Sequence, residues 1–431
     1  METVFVAGKG VGTSRWCKHD TMWVLGIYGC AVSGGMLFWP VSLGLSGFWP
    51  MVFLSLLAFP ITFVSYLALA RFVLTGSTRD GREGNILDAT NEHLGAKWGK
   101  AVTFIYFITV FPSMAVYTIS ITNTILDFTA RQLHLPVLSR WIVAPCAVLA
   151  LIVLVRFGTS VIVKTMGYIV VPFIIALLLV AVMIAPHWNA SMMSTAVDFG
   201  GASGLLKATW TAFPLVVFAF SFTSITSSFV VNQKRYYGDQ APQKVFQVMF
   251  VAVALVVVTV LLFSWSCIFA LSPAELVAAQ KSNLTVLSFL ARKFESPFMI
   301  YASQIIVFTG VIKSFLAHYI ATEEAARGFG RTSLGISEKV LHSKRFGRLV
   351  AIMVFLATTA AAIYNPNVLT LISVAIVPIS VCVVYFIPLY ATYRIPALQK
   401  YRGRVTNLFI AIIGVICLIS GFVSLAAKMS H

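Results

Sequence analysis

The sequence predicts an all-α integral membrane protein of eleven transmembrane helices. Three observations carry that reading. Of the 431 residues, 59% are hydrophobic and only 10% are charged, against about 25% charged in soluble chains. The chain divides into eleven mostly apolar runs, most of about the 20 residues needed to cross hydrocarbon. Its 31 Lys and Arg fall almost entirely in the segments between those runs, as polytopic topology requires. A soluble protein, a disordered chain and an ordinary cytosolic enzyme are excluded. The net charge of +17 follows from topology and calls for no nucleic-acid partner.

Residues 1–21 form a polar tail. The first apolar run, 22–44, is too long for a signal-peptide core and is expected to be retained. Further spans follow at 47–70, 101–127, 141–155, 160–185, 204–231, 244–271, 298–324, 348–364, 367–392 and 405–427. The fourth and ninth are short enough to be tilted or sheltered. With the N-terminus cytoplasmic, the inside segments hold 23 basic residues and the outside segments 7. That asymmetry puts the N-terminus inside, and an odd span count puts the C-terminus outside.

Loop lengths add an internal symmetry. Spans 2 and 3 are joined by a long, partly polar stretch, 71–100, and spans 7 and 8 by a similar one, 272–297. Spans 4 and 5 meet at the tight turn Arg156-Phe157-Gly158, and spans 9 and 10 at Asn365-Pro366-Asn367. An offset of five spans reverses the side of the membrane. The pattern is a five-plus-five inverted repeat, 22–185 and 204–392, with an eleventh helix at 405–427 appended.

Such repeats bind their ligand where a helix in each half is broken at mid-membrane, which directs attention to spans 1 and 6. Span 1 holds Gly29-Cys30-Ala31-Val32-Ser33-Gly34-Gly35, followed by Pro40. Unwound there, the helix would offer free N–H groups and a positive dipole end to a carboxylate; close packing through small residues is the alternative. Span 6 holds six hydroxyls between Ser221 and Ser228, with Phe222 among them and Pro214 upstream. They form either a polar cavity wall or a set of self-satisfied side chains. The expected arrangement has the N–H groups of Ser33, Gly34 and Gly35 on an α-carboxylate, and carbonyls near Phe218 to Ser221 on an α-ammonium. Gly29, Ala31, Phe222, Thr223 and Ser224 complete the expected substrate-binding set.

No acidic residue lies at mid-span, Asp127, Glu323 and Glu324 sitting at span ends, which weakens any reading in which a buried carboxylate relays protons or holds a cation. Lys313 lies deep in span 8, with Ser314 beside it and His318 one turn on. An ionisable group there is functional by default, and a lysine can bind and release a proton. Lys164, near the start of span 5, is the second candidate, although it can snorkel to the surface. The six cysteines show no ligand spacing for a metal, and no phosphate loop, nucleophile elbow or zincin helix is present. No cofactor is implied. Asn189-Ala190-Ser191 and Asn283-Leu284-Thr285 are sequons on the outer side, a pattern common by chance.

Several stretches carry a family resemblance: Asp20-Thr21-Met22-Trp23 before the glycine-rich first span, Ala58-Phe59-Pro60, Arg71-Phe72-Val73-Leu74, Ile121-Thr122-Asn123-Thr124 and Val155-Arg156-Phe157-Gly158. Ser227-Ser228-Phe229, Tyr237-Gly238-Asp239 and Lys313-Ser314-Phe315-Leu316-Ala317-His318-Tyr319 add to them. Together they resemble the hydroxy and aromatic amino acid permease family, most of all its bacterial serine/threonine proton symporters. The resemblance implies a leucine-transporter-like fold and proton-coupled import of a small neutral or hydroxy amino acid across the inner membrane. The partners are then an amino acid, a coupling proton and the bilayer, with sodium coupling or exchange as the rival; no oligomeric state is indicated. Two departures fall where the substrate should lie. Ser33-Gly34-Gly35 replaces alternating glycines, and Ser221-Phe222-Thr223-Ser224 replaces N-H-S-P, making the pocket less polar and keeping a less polar or aromatic substrate open. An intramembrane enzyme would need a nucleophile–base pair within the spans, and a sensor an added soluble domain; neither is evident.

Overall fold

The structure, a computed structural model, describes residues 15–32, 34–79, 82–156, 159–189, 191, 202–294 and 296–429. Hydrocarbon leaves each backbone polar group to be satisfied within its own segment, so long apolar runs become helices. In order they are α1 (Lys18–Ala31), α2 (Gly34–Leu45), α3 (Phe48–Leu74), α4 (Ile86–Asp127), α5 (Arg140–Arg156), α6 (Thr159–Ile184), α7 (Ala202–Ala219) and α8 (Thr223–Tyr237). After these come α9 (Ala241–Phe269), α10 (Pro273–Ser282), α11 (Val286–Phe294), α12 (Pro297–Thr332), α13 (Lys344–Tyr364), α14 (Val368–Arg394) and α15 (Val405–Met429). The only strands among the described residues are a two-residue antiparallel pair, Thr78–Arg79 with Arg82–Glu83.

Eight helices among the described residues are long and apolar enough to cross a membrane, or nine if α1 and α2, bent by 56° at their junction, form one span. Arg140–Val155 and Ser203–Ala219 are shorter apolar helices. The chain is therefore a multi-pass membrane protein.

Local chemistry sets the ends of these helices. Asn85 caps α4 by accepting from the Leu87 and Asp88 amides, while Asp88 accepts from the Asn85 amide, a reciprocal box. At Gly95 the backbone enters φ 84, a region that favours glycine; α4 thus joins a short polar helix to the membrane helix proper. Ser272 and Glu275 make the same box at α10. The expected sixth span proves to be two helices, α7 and α8, and the expected eighth runs on to Thr332. Helix α14 contains two wider turns, Leu371–Ile376 and Cys382–Phe386, a local widening often found at functional sites.

The helices pack around a contiguous core, with α4 and α12 sharing the largest interface. Helix α1 packs against α6, α9 and α12. On the side of the membrane where the chain begins, Asp20 and Lys244 form an ion pair at 2.8 Å, both essentially inaccessible to solvent. Tyr237 donates to the other Asp20 oxygen at 2.7 Å, so α1, α8 and α9 are tied together. At the opposite end, Asn123 donates to the Asn283 carbonyl and to the Asn365 side chain, and Asn283 donates to Asn365 and to the Pro366 carbonyl. Asn283 and Asn365 end α10 and α13 in left-handed conformation. The Asn283 amide is therefore committed to the fold and is not presented as a glycan acceptor; Asn189 is exposed.

Candidate substrate site between two broken helices

The two interrupted spans lie side by side. Helix α1 closes with the Val32 N–H on the Tyr28 carbonyl at 2.8 Å, and the chain resumes helix at Gly34. Ser33 lies outside the described residues. Helix α7 closes with the Ser221 N–H on the Phe218 carbonyl at 3.1 Å, and α8 begins with the Ile225 and Thr226 N–H groups on the Phe222 carbonyl. Between them, the carbonyls of Ala219, Phe220 and Ser221 accept no backbone N–H among the described residues. The second break therefore leaves acceptors free near the positions the sequence reading assigned to an ammonium.

Tyr66 of α3 holds this break open. Its hydroxyl lies 2.8 Å from both Ser221 Oγ and Thr223 Oγ1 and accepts from the Phe222 N–H at 3.1 Å. Its ring stacks on Phe222 with centroids 3.8 Å apart. Phe222 is thus buried against Tyr66 and does not line the cavity described below. Ser224 meets Cys30 instead, Oγ to Sγ at 3.1 Å, which ties the two broken spans together. We expect Tyr66→Phe to leave the stacked rings in place while stranding the Phe222 N–H, a cost of about 1–3 kcal/mol. The half-saturation concentration for uptake should rise about tenfold; an unchanged value would remove Tyr66 from the site.

A cavity of about 10 Å³ sits against the second break, lined by Thr109, Ser113, Tyr117, Phe218, Ser221, Thr223, His318, Ile376 and Ser380 among others. That is room for about one water, so a larger ligand requires a wall to move. Of the expected substrate residues, Phe218, Ser221 and Thr223 reach this cavity. Gly34 and Gly35 lie behind its rings: a Cβ on Gly34 would come within 2.8 Å of the Tyr117 ring, and one on Gly35 within 2.6 Å of Phe218. Gly29 packs equally closely on Val170, and Ala31 is fully buried. Above, toward the end opposite the N-terminus, opens a larger cavity of about 320 Å³ lined by Ser42, Ser46, Thr211, Gln280, Asn367 and Thr370 among others.

The deep basic group lies apart from the cavity. Lys313 is 3% exposed, and its Nζ has no hydrogen-bond partner among the described residues. It lies 3.6 Å over the centroid of the Phe173 ring, so α12 and α6 supply the lysine and its partner, with α1 packed on both. Ser314 turns back to the Gly310 carbonyl at 2.8 Å and does not bond to Lys313. His318 faces the cavity: Nδ1 lies 2.9 Å from the Ser314 carbonyl, and Nε2 lies 3.5 Å from the Tyr117 hydroxyl. Lys164 belongs to α6, but its side chain lies outside the described ones.

The sequence reading missed Tyr66, Tyr117, Thr109, Ser113, Ile376 and Ser380. One signal was available for three of them. Thr109, Ser113 and Tyr117 recur every four residues along the third span, a polar stripe on one helical face. Tyr66 carried none, because its role depends on a break in a helix distant along the chain.

The described residues hold no cluster of His, Cys, Asp and Glu fit for a metal ion. The likeness to solved structures is one of fold. A manganese transporter of Eremococcus coleocola superposes with a TM-score of 0.60 at 11% identity, over 95% of this chain and 86% of that one. Similarity in sequence runs much closer. The serine transporter SdaC of Escherichia coli K12 is 36% identical over 98% of this chain and 99% of its own length. The threonine/serine transporter TdcC of Edwardsiella tarda is 35% identical over 96% of this chain and 97% of its own. The family model for tryptophan/tyrosine permeases matches residues 20–387. With nearly the whole chain matched in both directions, the protein belongs to the tryptophan/tyrosine permease family, a family of permeases and not of enzymes.

Proposed function

We propose that this protein is a proton-coupled symporter that imports a small neutral or hydroxy amino acid, serine- or threonine-like, across a bacterial inner membrane. The observation that carries the coupling is Lys313, a buried ammonium site with no hydrogen-bond partner among the described residues, set where α1, α6 and α12 meet. Substrate class rests on the named activities of the relatives and on the hydroxyls of Thr109, Ser113, Ser221 and Thr223 around the cavity. In this reading Ser221, Thr223, Thr109 and Ser113 meet the substrate side chain. Backbone groups around Ser33 to Gly35 and at the α7–α8 break meet its charged ends.

The same reading takes the helices as eleven spans in two inverted halves, 22–185 and 204–392, plus 405–427, with the N-terminus cytoplasmic. It is supported by the two helix breaks, at α1–α2 and α7–α8, falling in corresponding positions five spans apart. It is supported too by the Lys/Arg asymmetry. Reconstituted protein, tested with an amino acid panel and with H⁺ and Na⁺ gradients imposed separately, should accumulate serine or threonine under the H⁺ gradient alone. Uptake driven only by Na⁺ would reassign the coupling ion. Uptake confined to aromatic amino acids would reassign the substrate.

A further inference from the structure

A third cavity, of about 220 Å³, lies far from the candidate substrate site, on the membrane side where the chain begins. Its lower wall is apolar, with Phe63 of α3, Phe246 of α9 and Ile410 of α15. Its upper rim is basic. The Arg71 guanidinium lies 4.0 Å over the Tyr401 ring centroid, and that of Arg404 lies 5.1 Å from the same centroid. The Lys400 ammonium lies 5.2 Å from that centroid too, so three like charges share one aromatic ring, and no carboxylate is paired with any of them among the described residues. Like charges gathered on one ring repel one another, and an anion among them relieves that repulsion. The surrounding surface carries exposed aromatic residues, Tyr390, Tyr393 and Trp98, of the kind that sit at headgroup depth.

We propose that this cavity binds an anionic phospholipid, with the phosphodiester between Arg71 and Arg404 and an acyl chain along Phe63, Phe246 and Ile410. Arginine suits the planar, bidentate recognition of a phosphate, and the cavity runs from that charge down to an apolar floor. Basic pockets between helices at a membrane surface are the known physical form of such sites. A soluble phosphate would use the rim and leave the floor uncovered.

Delipidated full-length protein, titrated with phosphatidylglycerol or phosphatidylcholine and read by native mass spectrometry, tests this directly. Phosphatidylglycerol should be retained and phosphatidylcholine not. The double variant R71Q/R404Q should weaken phosphatidylglycerol retention about thirtyfold, while R345Q/R348Q, which removes an equal charge from exposed sites on the same side, should not change it. If the double variant fails to fold, R404Q alone, at an exposed residue, should weaken retention several-fold. Equal binding of both lipids, or equal loss in R345Q/R348Q, would overturn the site. Displacement of the lipid by glycerol 3-phosphate at matching concentration would show a phosphate site without a lipid and would overturn it too.

Discussion

Lys313→Met is expected to abolish amino acid accumulation driven by a pH gradient while leaving exchange of labelled for unlabelled substrate. An ammonium 3% exposed and without a hydrogen-bond partner among the described residues is costly in hydrocarbon. The Phe173 ring at 3.6 Å offsets part of that cost, about 2 kcal/mol when the cation is desolvated. Under the proposed function, Lys313 binds and releases a proton as its surroundings change. Because α1, α6 and α12 meet around it, any movement of the broken first span relative to the other two alters its environment. Under the proposed function, the protonated lysine stands in for a bound cation and its deprotonation releases that restraint. Methionine keeps the length and apolar stem and removes the proton site. Accumulation at the wild-type level by Lys313→Met would sink the assignment, and loss in Lys164→Met with Lys313→Met active would move coupling to α6.

Asp20→Asn should destabilise the protein by about 3–5 kcal/mol, because it leaves the buried Lys244 charge uncompensated. Asp20 accepts from Lys244 at 2.8 Å, from Tyr237 at 2.7 Å and from the Cys17 N–H at 3.0 Å. Lys244 also donates to the Arg15 carbonyl. Nearby, His19 stacks on Tyr236 with centroids 4.1 Å apart, and Trp23 donates to Asn232. These contacts fasten the start of α1 to α8 and α9, closing the end of the molecule opposite the larger cavity. Thermal unfolding of Asp20→Asn, Lys244→Met and the double variant measures the coupling. The double variant should recover much of the loss, since removing both charges together avoids a stranded one. Wild-type stability in Asp20→Asn would show that the pair does not hold this end closed.

Composition and periodicity were enough for the membrane class, for most of the helices and for the two helices that break. An apolar run of about 20 residues has one stable answer in hydrocarbon, and glycine or hydroxyl clusters mark where that answer weakens. Lys313 was legible for the same reason, as a charge where charge is expensive.

Which residues face which was not legible. From the sequence, Phe222 and Thr223 are adjacent hydroxyl-cluster neighbours in one span; in the fold, Thr223 lines the cavity and Phe222 is stacked away on Tyr66. Gly34 and Gly35 were expected to meet a ligand directly, whereas in this structure the rings of Tyr117 and Phe218 lie against them. The Asp20–Lys244 pair joins residues 224 positions apart, and the Arg71–Tyr401 contact spans a greater separation still. The sequence by itself determined that these helices form, because helix formation in a bilayer depends on the hydrophobicity of each segment alone. Only the tertiary structure decided their mutual rotation and contact, because lipid tails are as apolar as the helix faces and do not distinguish one face from another. Side-chain packing and a few hydrogen bonds between distant segments settle that choice.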